Sequence, residues 1–327
     1  MPRLLTAFAS ALALIAAAAA PVGAQAPTLA AAPAKAEPLR YSLSAGRVTL
    51  EVVDLSPRFL AFYEAAKNEP DAEKRYALWK QHYGFAAVPP GPRGEAMAKE
   101  LLAKGWPRYA AALDTFRAGA RGMPIKPLDV AARVAAVLKP DGPVRIRFVA
   151  YVGAFEDNAF AYSADGVPVV NVPIEIDPAS GEVTVAHEMT HAFHMAVGRL
   201  SGGWERSIAA TMLQEGLAIH VSREVVPGRP MASYIEYQAG WLARAEANRR
   251  AILAGLRGSL AARDGETVFK FTIGEGSTGL EREAYYGGWA VVQHLRDQGM
   301  TLAQIARIPE DEMPTVVGRA IDEMLGG

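Results

Sequence analysis

Apolar and polar positions alternate over residues 40–53, the period of two expected of a strand pair, with Ser44-Ala45-Gly46 as its turn. From Pro57 the period lengthens to that of helices. Phe59, Phe62 and Tyr63 share one face, and Tyr76, Trp79, Tyr83 and Phe85 make a second aromatic stripe whose expected role is core packing. Pro89-Pro90-Gly91-Pro92 interrupts the pattern. A helical stretch follows over residues 95–118, expected to kink or break at Pro107, and another over 128–138. Lys139-Pro140-Asp141-Gly142-Pro143 then reads as a strong turn. After it, residues 144–152 alternate as a strand and 159–163 suggest a second. Residues 166–175 are strand-like but carry Pro168 and Pro173, which cannot donate to a ladder, so this strand is expected at a sheet edge. A peptide could lie along such an edge as an added strand, with Asn171 hydrogen-bonding its backbone.

The remainder reads as helical. Asp177-Pro178 and Ser180 offer start signals and Gly198 a stop for one helix. Within it Val185, Met189, Ala192 and Ala196 form an apolar stripe. Ser207 is placed to cap the next helix. A long helix is expected over 231–263, a glycine-rich loop without a phosphate-binding pattern over 274–279, a helix over 280–298, and short helices near Leu302 and Pro314. The pattern as a whole predicts a mainly helical chain with a few short strands.

The first 24 residues stand apart. Arg3 precedes an apolar, alanine-rich run that ends in small-residue patterns around Ala24, the arrangement of a cleaved signal peptide. Residues 25–39 follow as an Ala/Pro-rich linker, 40–140 as a mostly helical N-terminal region, and 141–327 as the domain bearing the chemistry. The expected location is therefore periplasmic or secreted, with no stable membrane insertion after cleavage. The 327 residues carry a formal net charge of −1, and no basic patch points to nucleic acid. There is no cysteine, so any metal site must use histidine and carboxylate.

The chemistry concentrates in His187-Glu188-Met189-Thr190-His191. On a helix, residues four apart lie on one face, so both imidazoles can reach one zinc ion and leave other positions open. Glu188 is placed to take a proton from a water made acidic by that metal. Four of the six histidines (His187, His191, His194, His220) fall in one short region. A catalytic zinc has three protein ligands plus water. His194 fails as the third, because seven helical positions span about 10 Å. Glu215, on the next expected helix with Gly216 beside it for close backbone approach, fits best; Glu205 and His220 remain as alternatives.

His187-Glu188-Met189-Thr190-His191 followed by Gln214-Glu215-Gly216-Leu217-Ala218 resembles the gluzincin metallopeptidases, the thermolysin-like group, and is closest to bacterial predicted zinc-dependent proteases. The stretch Tyr285-Tyr286-Gly287-Gly288-Trp289 is similar to a tyrosine-glycine helix of such proteins. The resemblance implies zinc held by His187, His191 and Glu215, Glu188 as general base and acid, and an α+β, mainly helical zincin-like fold with a small mixed sheet next to the helix of His187 and His191 and a helical C-terminal part. It further implies a donor to the oxyanion on the C-terminal helices: Tyr285 first, then Tyr286, then His294, which is also a candidate for touching substrate. The G-x-M-E-N-like pattern of aminopeptidases is missing. The expected function is zinc-dependent hydrolysis of peptides or proteins; the alternative is a non-catalytic zinc-binding protein of the periplasm.

Overall fold

Val48, Leu50 and Val52 point inward from the second strand of an N-terminal hairpin, and that inward row starts the core. The computed structural model describes residues 35–201 and 206–326. The expected signal peptide, most of the expected linker and Glu205 lie outside the described residues. The hairpin is β1 (Leu39–Ala45) and β2 (Val48–Asp54), closed by Gly46-Arg47 with Gly46 at φ 56°. The turn thus falls one to two residues later than Ser44-Ala45-Gly46, because a two-residue turn needs its positive-φ glycine at the first corner.

Helices α1 (Ser56–Ala66), α2 (Ala72–His82) and α3 (Pro92–Tyr109) follow. α3 runs through Pro107, and the break comes at a 3-10 turn, Ala110–Ala112, before α4 (Leu113–Gly122). The aromatic stripes pack as expected, with Phe59 edge-on to Phe62, Tyr83, Tyr109 and Phe116 at 4.8–5.6 Å between centroids. α5 (Pro127–Leu138) leads through the proline-rich turn to β3 (Val144–Tyr151), which pairs in parallel with β2. One sheet therefore extends across both sides of that turn.

β4 (Phe160–Ala164) and β5 (Val167–Pro173) complete a five-stranded mixed sheet in the order β1-β2-β3-β5-β4. The strand carrying Pro168 and Pro173 is interior, not an edge; the edge beside it is β4. The prolines are tolerated because each lies where β5 has one neighbour: the β3 ladder begins at Val169, past Pro168, and the β4 ladder ends at Asn171, before Pro173. Asn171 is consequently buried, its Nδ2 donating to the Phe160 carbonyl at 3.4 Å.

α6 (Pro178–Gly198) packs against β3, β4 and β5, so the sheet lies against the helix bearing His187 and His191. Asp177 caps it by accepting from Ala179 N. Gly198 is its last residue, at the expected stop, and Arg199 caps it in a left-handed conformation. Gly198 is needed inside the last turn, where a Cβ would stand 2.8 Å from the Ala306 carbonyl oxygen. α7 (Ile208–Val225), capped by Ser207 as expected, is buried along almost its whole length.

The long helix expected over 231–263 is three: α8 (Ala232–Ile235), α9 (Trp241–Ala247) and α10 (Arg249–Arg257). Gly240 in a left-handed conformation separates the first two, and Asn248, bonding back to the Arg244 carbonyl, separates the others. α11 (Gly265–Thr272) precedes α12 (Glu283–Asp297), which lies along α7; α13 (Leu302–Ile305) and α14 (Met313–Gly326) close the chain. The architecture is α+β and mainly helical. Among the described residues no helix is long and apolar enough to cross a membrane.

Candidate metal centre

Two helices build the site. On α6, His187 and His191 stand one turn apart with ring centroids 4.8 Å from each other. On α7, Glu215 faces them: its Oε2 is 3.1 Å from His187 Nε2 and 3.5 Å from His191 Nε2. Ligands at about 2.0–2.1 Å around a tetrahedral zinc are separated by about 3.3–3.4 Å, so these distances straddle the edges of such a site. The donor atoms of His187, Glu188 and His191 also lie within 4.8 Å of one another, a group that could hold a metal ion. Of the two carboxylates, Glu215 is the one in contact with both imidazoles.

Glu215 reaches this point because α7 packs against α6 on one side, while beside it α7 meets α12 at close range. A Cβ on Gly216 would stand 2.1 Å from the Gly288 carbonyl oxygen. The glycine expected to admit a neighbouring backbone does so, and the backbone is that of the tyrosine-glycine helix.

The electrostatics are those of a half-buried, charged cluster. Burial pushes the Glu215 carboxyl up, but the two imidazoles beside it outweigh that and hold it well below the ordinary carboxylate range. Burial alone would depress His191; the adjacent Glu215 carboxylate reverses the sign and raises it. Glu188 is raised, chiefly by burial, against the pull of His191 and His187.

The backbone amide of Ala161 acts in the opposite direction to burial, favouring the charged Glu188 carboxylate. The orientation of that amide follows from the sheet. Ser163 lies opposite Pro168, which has no N–H, so that pair cannot exchange ladder bonds; alternation makes Ala161 opposite Val170 a pair of the same kind. The amides of Ala161 and Ser163 therefore point away from β5. Sequence reasoning missed Ala161, although Pro168 carries the signal once β4 is paired with β5.

Of the two tyrosines, Tyr285 lies on the Glu215 side: burial raises its hydroxyl first, and the charge of Glu215 raises it further. Tyr286 faces the other way, fully buried, with its ring near Trp241 and Trp289. His294, nine positions beyond Tyr285 and so about 13 Å along the axis, bonds Glu323 on α14 at 2.7 Å. His220 is spent on the Trp289 carbonyl at 3.1 Å, and burial lowers it to about 4. His194 is fully buried, with neither ring nitrogen bonded among the described residues, and burial lowers it to about 3. It is a neutral core histidine. Asn171, buried within β5, does not face outward along an edge.

Two arginines also went unnoticed in the sequence. Arg206 donates from Nη1 to Gln214 Oε1 at 2.5 Å, and its charge acts on His191 and Tyr285. The Arg282 Cζ lies 3.9 Å from the centre of the Tyr285 ring. Neither belongs to a motif; each is brought in by a loop or a helix start.

The arrangement is a half-buried His-Glu-His group on one helix that could hold a metal ion, with a carboxylate from the neighbouring helix against its two imidazoles. Comparison with known proteins returns no matching family model, no matching curated protein and no matching solved structure.

Proposed function

We propose that the chain is a zinc-dependent hydrolase of peptide bonds, of the gluzincin kind, working on peptide or protein substrates. The observation that carries this reading is the convergence of His187 Nε2, His191 Nε2 and Glu215 Oε2 at separations of 3.1 and 3.5 Å, with Glu188 beside them. His187, His191 and Glu215 would hold the ion. Zinc so held supplies Lewis acidity, making a water acidic enough to act as nucleophile near neutral pH.

The chain's own residues do the rest. Glu188, raised by burial, takes the proton from the attacking water and returns it to the leaving amine. Tyr285 donates to the oxygen on which negative charge develops. The outward amides along β4 offer an extended peptide a strand to pair with, the role first expected of β5. The N-terminal apolar run with its small-residue patterns supports export to the periplasm or beyond.

The test is the Glu188→Gln chain beside the wild type. We expect stoichiometric zinc in both, cleavage across a broad peptide library by the wild type, and none by the variant. Wild-type protein without zinc would sink the reading. Zinc without cleavage of any peptide would replace it with the non-catalytic zinc-binding alternative.

A further inference from the structure

α12 begins in an unusual way. Its N-cap residue, Arg282, has a left-handed backbone at φ 62° and makes no side-chain cap. Glycine would occupy that conformation without strain, and serine or aspartate would supply a cap elsewhere at helix starts. A guanidinium is also the wrong sign for the positive end of a helix. Three unfavourable choices coincide at one residue, and strain of this sort persists where surrounding structure enforces it.

The enforcement is visible on both sides. Glu283, fully buried, accepts from the backbone and hydroxyl groups of Ser277 and Thr278 at 2.6–2.8 Å. Glu281 accepts from Trp241 Nε1 through its carbonyl at 2.9 Å and from the Tyr237 hydroxyl through its carboxylate. Held between these anchors, the Arg282 side chain runs to two aromatic faces. Its Cζ is 3.9 Å from the Tyr285 ring centre and 5.3 Å from that of Tyr237. A cation over a ring face restrains the ring and draws on its electron density.

We propose that Arg282 is a positioning residue for Tyr285, fixing the phenol by its face and strengthening its hydroxyl as a donor toward the Glu215 side of the site. The catalytic consequence rests on the hydrolase reading; the contact itself does not. The charge of Arg282 opposes the effect of burial and of Glu215 on the Tyr285 hydroxyl. A residue serving only the backbone would be better replaced by glycine. One serving Tyr285 would not.

The experiment compares wild type, Arg282→Gly, Arg282→Lys, Tyr285→Phe and the Arg282→Gly/Tyr285→Phe double variant, all as full zinc-loaded chains on a fluorogenic peptide that the wild type cleaves. Arg282→Gly is expected to lower kcat on the order of tenfold with little change in KM, while its melting temperature holds or rises as the left-handed strain is relieved. Arg282→Lys recovers part of the rate. The double variant is no slower than Tyr285→Phe, because both changes act through one hydroxyl. Ultraviolet titration of Tyr285, taken as the difference from Tyr285→Phe, reads the contact without catalysis: it shifts to higher pH in Arg282→Gly. An unshifted titration, additive losses in the double variant, or a lower melting temperature with unchanged kcat overturns the proposal. A wild type that cleaves no peptide overturns the hydrolase reading instead, and the titration still decides the contact.

Discussion

Gly216 and Gly288 meet where α7 crosses α12, so closely that a Cβ on Gly216 would stand 2.1 Å from the Gly288 carbonyl oxygen and one on Gly288 would stand 2.0 Å from that of Met212. The crossing sets Glu215, one residue before Gly216, beside the helix that carries Tyr285. A methyl group there must push the helices apart. Gly216→Ala is expected to lose about 1–3 kcal/mol in urea denaturation, the usual cost of overpacking a filled core. Zinc affinity falls with it, because Glu215 moves with α7 while the histidines stay on α6. Unchanged stability would mean that the two backbones have room to spare.

Metal removal should register in folding as well as in activity. Without an ion, Glu215 and the two imidazoles still attract one another, so the apo chain is expected to stay folded with a lower melting temperature that zinc restores in a concentration-dependent way. His187→Ala, His191→Ala and Glu215→Gln should each weaken zinc by more than the roughly 10–100-fold that loss of an outer partner costs. Competition titration with a chromogenic chelator measures this. Equal affinity in Glu215→Gln would assign the third position to Glu188, whose donor atom also lies within 4.8 Å of the histidine pair.

What was legible in the sequence was whatever a local pattern encodes. The spacing of His187 and His191 survives because i and i+4 share a helix face in any fold. Glu215 was reachable because a catalytic zinc wants a third ligand and Glu215 lies on the next helix across one loop, while the close approach that Gly216 advertises occurs against α12. The edge strand was misread because proline in a strand implies a missing neighbour only at its own position, and β5 lacks one neighbour at Pro168 and the other at Pro173. The helix over 231–263 was misread because Gly240 and Asn248 break it by backbone conformation, which an apolar period does not record. Ala161, Arg206 and Arg282 come to the site from a strand edge, a loop and a helix start, and only the three-dimensional arrangement brings them there.

The outward amides of β4 allow a clean substitution. The Ala161 N–H points away from β5, so Ala161→Pro removes an amide that favours the charged Glu188 carboxylate and leaves the ladder whole. The variant is expected to fold with an unchanged melting temperature and to lose about tenfold or more in kcat, as a misaligned general base would. Ser163→Pro, equivalent in the ladder but two residues further from that carboxylate, should spare kcat and raise KM if peptide substrates pair along this edge. Steady-state kinetics on one fluorogenic peptide separates the two. Identical behaviour would show that neither amide has a distinct role.

Glu175 gives the fold a pH dependence of its own. Its Oε1 accepts from the Gly153 and Phe155 amides at 2.8 and 3.2 Å, while Oε2 is buried without a partner among the described residues. Burial lifts this carboxyl from 4.5 to about 7. Between those values the folded chain holds a proton that the unfolded chain has released, so stability falls as pH rises through this window and levels off above it. Glu175→Gln keeps an acceptor for both amides and carries no charge to desolvate. It is expected to match the wild type near pH 4 and to exceed it at pH 8 by on the order of 2 kcal/mol. Urea denaturation of both proteins across that range measures the difference, and parallel curves with no divergence would show that Glu175 titrates as an ordinary surface carboxylate.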